Sequence, residues 1–343
     1  MKRLVIAPNW IGDAVMSLPF LRALRRASPG GRIEVLARSG PATIYRAEGS
    51  ADAILPRSSF ASDALAARRG RFDEVWLLPN SYRAALLARA SGSRRRIGYA
   101  TEGRGWLLTG ALPPTPGTIH QLRDYDALLS DNGIAPDLDP PRLPICDASR
   151  EKAAAALSAA GIARGAAFAA LCPGSAFAQT KRWPSERFAG LADALAERNL
   201  PCAVLVGPGE EELGARVAAA SRTRPAVLGA DLDPVELAAA LSLARAAVTN
   251  DSGPMHLAGA VGTPVAAFFG PTDPGRTGPS GSPSRVLDRY VFCSPCFKTE
   301  CPYGHECMRQ IGVEDAVRAV EELTGGPHGR RSSRGREPEG SRP

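Results

Sequence analysis

The chain has 343 residues, 44% of them apolar and 22% charged, which is enough length for two domains and excludes a generally disordered protein. No apolar run approaches the eighteen or so residues of a membrane span, and the start lacks the pattern of a secretion signal, so a cytoplasmic protein is expected. Of the formal charge of +7, much sits in the closing stretch "RRSSRGREPEGSRP", five arginines against Glu337 and Glu339; with aromatic residues at 6%, a stacking platform for nucleic acid is not indicated.

In chain order, short apolar strands alternate with helical patterns, the rhythm of βαβ units around a parallel sheet. The first series runs through "RLVIAPN", a helix with Ala14, Leu18, Leu21 and Leu24 at helical spacing, then "RIEVLAR", "AILP" and "EVWLLPN". Pro19 is expected to kink that first helix. The rhythm then dissolves into one helix and a proline-rich passage holding Pro136, Pro140, Pro141 and Pro144. A second series follows: "AAFAALCPG", "CAVLVGPG", "PAVLG", "AAVTN" and "PVAAFFG", each separated by a helix. Two Rossmann-like halves facing each other across a cleft are therefore expected, with boundaries at 1–145, a linker at 146–164, a second domain at 165–325 and a disordered basic tail at 326–343.

Three loops of the second half and one of the first carry chemistry. In "NDSGPMH", Asp251 or Ser252 either simply caps the next helix, or the loop and its free N–H groups seat a diphosphate, with Gly253 allowing close approach. In "PGSAFAQTKRWP", Gly174 and Ser175 suit a tight turn near a ligand, and Lys181 is either a surface lysine or the counter-charge for that phosphate. In "GPGEEEL", three carboxylates either complement a helix dipole or offer an acceptor for ribose hydroxyls. No P-loop and no G-x-G-x-x-G fingerprint is present, which argues against an NTPase or a dinucleotide dehydrogenase. In the first half, Asp13 of "APNWIGDAVM" reads from local sequence as a helix N-cap, with a cleft carboxylate as the competing reading and Gly12 as the residue that permits a tight turn.

Together "NWIGDAVMSLPFLRAL", "LPNSYRAALLA", "CPGSAFAQTKRWP", "VTNDSGPMHLAGAVGTPVAAFFGPTDP" and "CSPCFKTECPYGHECM" resemble the lipopolysaccharide heptosyltransferases of glycosyltransferase family 9, most of all the heptosyltransferase II branch. The resemblance implies a GT-B fold, an acceptor-binding first domain and a nucleotide-sugar-binding second one. It implies inverting, metal-free transfer of L-glycero-D-manno-heptose from ADP-heptose to the first heptose of the inner core. Asp13 is then the general base rather than a cap, and the donor is met by Ser175, Lys181, Glu212, Leu232, Asp251, Ser252, Gly253 and His256. Asn80, Ser81 and Arg83, with the run Arg94, Arg95 and Arg96, are candidate acceptor contacts, although such a run also reads as a solvated face. The partners implied are ADP-heptose, the heptosyl-Kdo2-lipid A acceptor and a peripheral contact with the inner membrane of a Gram-negative cell, without nucleic acid. Other acceptors, as in heptosyltransferase I, remain open, as do a nucleotide-sugar epimerase of similar fold and a sensor that binds without turnover.

Cys293, Cys296, Cys301 and Cys307 form C-x2-C-x4-C-x5-C, with His305 among them. Structural zinc and reduced, loosely packed thiols are both compatible with that spacing; neither has a part in the chemistry. Cys146, Cys172 and Cys202 read as isolated buried residues.

Overall fold

The computed structural model describes residues 1–115, 119–176 and 178–325, so the tail at 326–343 lies outside the described residues. The first half runs β1 (Lys2–Ile6), α1 (Ile11–Met16), α2 (Leu18–Arg26), β2 (Arg32–Ala37), α3 (Ser39–Glu48), β3 (Ala53–Pro56) and α4 (Phe60–Gly70). It continues with β4 (Glu74–Leu77), α5 (Tyr82–Ala90), β5 (Arg95–Tyr99), β6 (Gly110–Leu112) and α6 (Gln121–Ser130). Then come α7 (Asp147–Ala159), β7 (Ala169–Cys172), α8 (Ser185–Ala196), β8 (Cys202–Leu205), α9 (Glu211–Ala220), β9 (Ala226–Leu228) and α10 (Pro234–Ser242). The second half closes with β10 (Ala246–Asn250), α11 (Gly253–Ala260), β11 (Val265–Phe268), α12 (Pro274–Thr277), β12 (Ser284–Leu287), α13 (Glu306–Arg309) and α14 (Val313–Thr324).

All strand pairings are parallel, in two six-stranded sheets ordered β3-β2-β1-β4-β5-β6 and β12-β11-β10-β7-β8-β9. Each order is that of a doubly wound sheet, whose strand direction of travel reverses between its first and fourth strands. Strands such as β1, β4, β7 and β10 are buried along almost their whole length, which is why they read as unbroken apolar runs rather than alternating ones. Helices cover both faces, and the chain has the two-sheet α/β architecture expected of it.

Pro19 does more than kink the first helix. Helix α1 ends at Met16 and α2 starts at Leu18, because Pro19 has no N–H to donate to the preceding turn and its ring crowds the carbonyl there. The break at Ser17 is sealed by its hydroxyl, which donates to Ala14 O at 2.8 Å and shares a hydrogen bond with the Tyr45 hydroxyl at 2.6 Å. The proline-rich passage is extended and tied at both ends: Asp137 accepts from Arg22 and Arg26 of α2, and Leu143 N donates to Ala260 O of α11. The stretch expected as linker carries α7, whose Ala153 and Leu157 enter the core beside α10 and whose Lys152 pairs with Glu236 at 2.8 Å. Among the described residues no helix is long and apolar enough to cross a membrane.

The halves touch through glycines. A Cβ on Gly12 of α1 would lie 2.6 Å from Cδ2 of His256 on α11, and one on Gly253 of α11 would lie 3.1 Å from Cβ of Ile11. Gly12 is therefore needed inside a helix for the approach of the other half, and the expected tight turn is not its role.

This contact sets a sign. Alanine in a helix is normally favoured over glycine by about 1 kcal/mol, whereas overpacking a tight contact costs about 1–3 kcal/mol. The Gly12→Ala protein should melt at a lower temperature than the parent in a calorimetric scan; a raised melting temperature would show that α1 and α11 do not meet in solution.

Candidate active site

In doubly wound sheets the crevice opens beyond the strand ends at the reversal point. Here the loops that leave β7 and β10 form one wall of it, and the start of α1, after β1, stands on the other. The first wall is built on Asn250, which is fully buried. Its Oδ1 accepts from Trp183 N at 2.9 Å, and its Nδ2 donates to Pro173 O at 2.8 Å and Gly174 O at 3.3 Å, so one amide staples both loops together. Trp183 stacks on Phe268 with centroids 4.2 Å apart and donates from Nε1 to Ile311 O, which anchors the loop in the core as its size suggests.

On this scaffold Lys181 Nζ meets Asp251 Oδ2 at 2.7 Å, both largely buried. Thr277 Oγ1 donates to the other Asp251 oxygen at 3.3 Å. Neither Asp251 nor Ser252 caps α11: Asp251 is engaged with Lys181, and Ser252, in the cap position, turns its hydroxyl back to Asn250 O at 3.3 Å. Helix α11 thus begins without a side-chain cap; Pro254 has no N–H and Met255 N donates to Ser252 O at 3.1 Å, which leaves the Gly253 N–H as the donor of that turn. His256 follows one turn later, buried, its pKa pushed down to about 4 by burial, with Asp251 opposing that shift and His120 and Lys181 adding to it. It is a neutral imidazole at physiological pH.

Across the crevice Asp13 is the third residue of α1, whose cap position belongs to Trp10. The capping reading of Asp13 is thereby overturned. Burial raises its pKa above the ordinary carboxylate value, while a hydrogen bond from the Gln121 side chain and the charges of Lys181 and Arg276 pull it down and that of Asp251 pushes it up. Asp13 therefore faces charged groups of the opposite half: the two walls meet at Asp13, Lys181, Asp251 and His256.

Other expected residues fare differently. Ser175 is buried at the loop turn and gives its carbonyl to Arg182 Nη2 at 3.1 Å. Leu232 is buried in the turn before α10, part of the core cluster. Glu212 is exposed on α9, whereas Glu210 is the carboxylate turned inward: a Cβ on Gly174 would overlap its Oε2 at 1.9 Å, and it accepts from Gly207 N at 3.1 Å. The structure thus sets Glu210, not Glu212, beside the Ser175 loop, because the chain turns at Gly209, with φ of 81°, and only the first of the three glutamates precedes the helix proper.

In the first half, fully buried Arg104 donates to Tyr99 O, Pro79 O, Ser81 O and Asn80 Oδ1, and Ser81 caps α5. Asn80 and Ser81 therefore hold loop geometry. Arg83 is exposed and lies over the Phe60 ring. Burial lowers the pKa of Arg57, its ion pair with Asp63 at 3.6 Å opposes that shift, and the charges of Arg83 and Arg38 add to it; Arg57 is thus a largely buried, paired cation with Arg38 and Arg83 nearby, beyond the ends of β2, β3 and β4. Arg94, Arg95 and Arg96 are elsewhere: Arg94 precedes β5 and the other two open it, at the end of the sheet away from the crevice, with Arg95 on Glu74 and Arg96 Nε on Leu107 O at 2.8 Å. Gln121, Arg276, Thr277, Arg38 and Arg57 were not singled out from sequence. The one signal for Arg276 and Thr277 was their place just beyond a strand end, in "GPTDPGRT".

The cysteine loop does not bear out zinc. Among the described residues no group of three or more His, Cys, Asp or Glu stands where it could hold a metal ion, and all four cysteines are free thiols around a narrow apolar cavity shared with Val291, Phe292 and Tyr303. The loop instead backs the Lys181 turn: Thr180 Oγ1 donates to Lys298 O at 2.7 Å, and His305 Nε2 meets Thr180 O. Cys172 and Cys202 are buried, as expected, but Cys146 is exposed at the start of α7.

Comparison with known proteins agrees with this geometry. The lipopolysaccharide heptosyltransferase 2 of Salmonella typhimurium is 29% identical over 94% of this chain and 97% of its own. A solved E. coli ADP-heptose lipopolysaccharide heptosyltransferase II superposes with a TM-score of 0.80, at 24% identity, over 94% of this chain and 98% of that one. A family 9 glycosyl transferase from Veillonella parvula superposes with a TM-score of 0.81, at 26% identity, over 94% and 97%. Residues 64–306 match the sequence model of glycosyltransferase family 9 (heptosyltransferase), and the chain belongs to that family.

Proposed function

We propose that this enzyme transfers L-glycero-D-manno-heptose from ADP-heptose onto the first heptose of the lipopolysaccharide inner core, on the cytoplasmic side of a Gram-negative inner membrane that it touches peripherally. The observation that carries the reading is the meeting of a half-buried carboxylate, Asp13, with the Lys181–Asp251 pair of the opposite wall. In this reading the second half binds the donor and the first half the acceptor.

The chemistry then follows in one displacement. The acceptor hydroxyl oxygen attacks the anomeric carbon, Asp13 takes its proton, and the bond from that carbon to the diphosphate breaks on the opposite face, inverting the configuration. A carboxylate whose pKa is raised by burial is a better base than an exposed one. The departing ADP carries the charge away, and Lys181 with the Gly253 N–H at the uncapped start of α11 receives it. Neutral His256 offers a hydrogen bond without a second positive charge. Ser175 lines the donor loop, Glu210 stands nearest it to accept from the ribose, and Leu232 closes the adenine side. Acidic groups of the core sugar meet Arg38 and Arg83, beside the Arg57–Asp63 pair.

The direct test is incubation with ADP-heptose and either heptose-free or mono-heptosylated acceptor, read by mass spectrometry. Heptose should be added to the mono-heptosylated acceptor; addition to the heptose-free one alone would make it a heptosyltransferase I, and consumption of the donor without acceptor would indicate an epimerase.

Two substitutions separate the roles. Asp13→Asn removes the base, so kcat should fall by ~10²–10⁴-fold, with the ADP dissociation constant unchanged. Because a carboxylate whose folded pKa is raised destabilises the native state once pH exceeds that pKa, the Asn protein should be at least as stable at pH 7. Normal turnover would exclude Asp13 as the base. Lys181→Ala should weaken ADP binding by about 1.5–3 kcal/mol, the range for a hydrogen bond to a charged group; unchanged affinity by calorimetry in folded protein would remove Lys181 from the diphosphate site.

A further inference from the structure

Helix α12 belongs to the donor half but grips the other one. Asp273 caps it through Gly275 N at 2.7 Å, and from it Arg276 crosses the crevice: Nη1 donates to Ile119 O at 2.9 Å and Nη2 pairs with the Asp124 carboxylate. A second crossing lies beside it. His120 Nδ1 accepts from Leu122 N, so Nε2 carries the proton and donates to Gly278 O at 3.0 Å. On its near side α12 holds Asp251 through Thr277.

The gripped segment carries Gln121, the first residue of α6. Its Nε2 donates to the Tyr125 hydroxyl at 2.9 Å, and its amide faces the Asp13 carboxyl. We propose that α12 is a latch for heptosyl transfer, in which Arg276 and, through it, Gln121 are positioning residues that hold Asp13 in its working orientation only while the two halves are closed on each other. The proposal rests on the reading of Asp13 as base. Around that carboxyl stand Lys181, Asp251 and Arg276, the His256 ring against Gly12, and the hydroxyls of Tyr45 and Tyr125. Arg276 is bonded to the acceptor half, so opening the crevice withdraws its charge and frees the segment that places Gln121.

The test uses full-length Arg276→Met and Asp124→Asn proteins. Misplacing a catalytic group by about 1 Å costs on the order of 10²-fold, so kcat should fall by roughly 10–100-fold in both, with the ADP dissociation constant within about threefold of the parent. Arg276 and Gln121 both hold the Asp13 acid down, so the acid limb of the kcat/KM profile should move to higher pH in Arg276→Met. A tie that merely joined the halves would leave that limb in place. Arg276→Lys keeps the charge without the forked grip and should lose turnover with a smaller shift of the limb, which serves if the Met protein fails to fold. In the Asp13→Asn background, Arg276→Met should add no further loss; a full additional loss would overturn the latch. Unchanged turnover and profile in Arg276→Met, beside an inert Asp13→Asn, removes the latch alone, whereas near-normal Asp13→Asn turnover removes the base reading and the latch with it.

Discussion

Two helices can cross at backbone distance only where side chains are missing, and in this protein that condition is met from both sides. Gly12 makes room for the His256 ring, and Gly253 makes room for Ile11. The carboxylate of Asp13 rides one residue beyond the first of these contacts, and the Asp251–Ser252 loop one residue before the second. The separation of Asp13 from the Lys181–Asp251 wall is thus set by the packing of α1 on α11, not by flexible side chains reaching across a gap.

Charge is distributed to suit that closeness. Lys181 and Asp251 neutralise each other in a largely buried pair, which leaves the Asp13 carboxyl close to balanced between opposite influences and dominated by its own desolvation. His256 adds volume and a polar edge without charge, since burial outweighs the attraction of Asp251. Polar satisfaction is complete where rigidity matters most: the Asn250 amide uses both its acceptor and its donor to hold two loops at once.

The alternation of strands and helices was legible because parallel strands buried on both faces are continuous apolar runs, and the two half-sheets follow from it. β5 was not read as a strand, since "RRIGY" begins with two arginines; their heads are held at the strand start by Glu74 and Asn132 and by the Ser93 and Leu107 carbonyls. Local rules also misled about Asp13 and Gly12. An aspartate near a helix start reads as a cap and a glycine as a turn, yet both were shaped by a helix more than two hundred residues away, which no window of sequence contains. Glu212 was taken from the family resemblance alone, since three successive glutamates give no hint of which one the turn directs inward. Arg104, buried against four oxygens, looked like any surface arginine.

Because both sheets share one winding order, the Asp13 loop and the Lys181 loop are the same piece of topology, the connection leaving the first strand of each half. One copy delivers an anion and the other a cation. Set face to face, they form a polarised gap, which in the proposed transfer sends the proton toward one wall and the electron density of the leaving group toward the other. A repeated fold has in this way become a directional one: the reaction has a front and a back because two equivalent turns carry opposite ions.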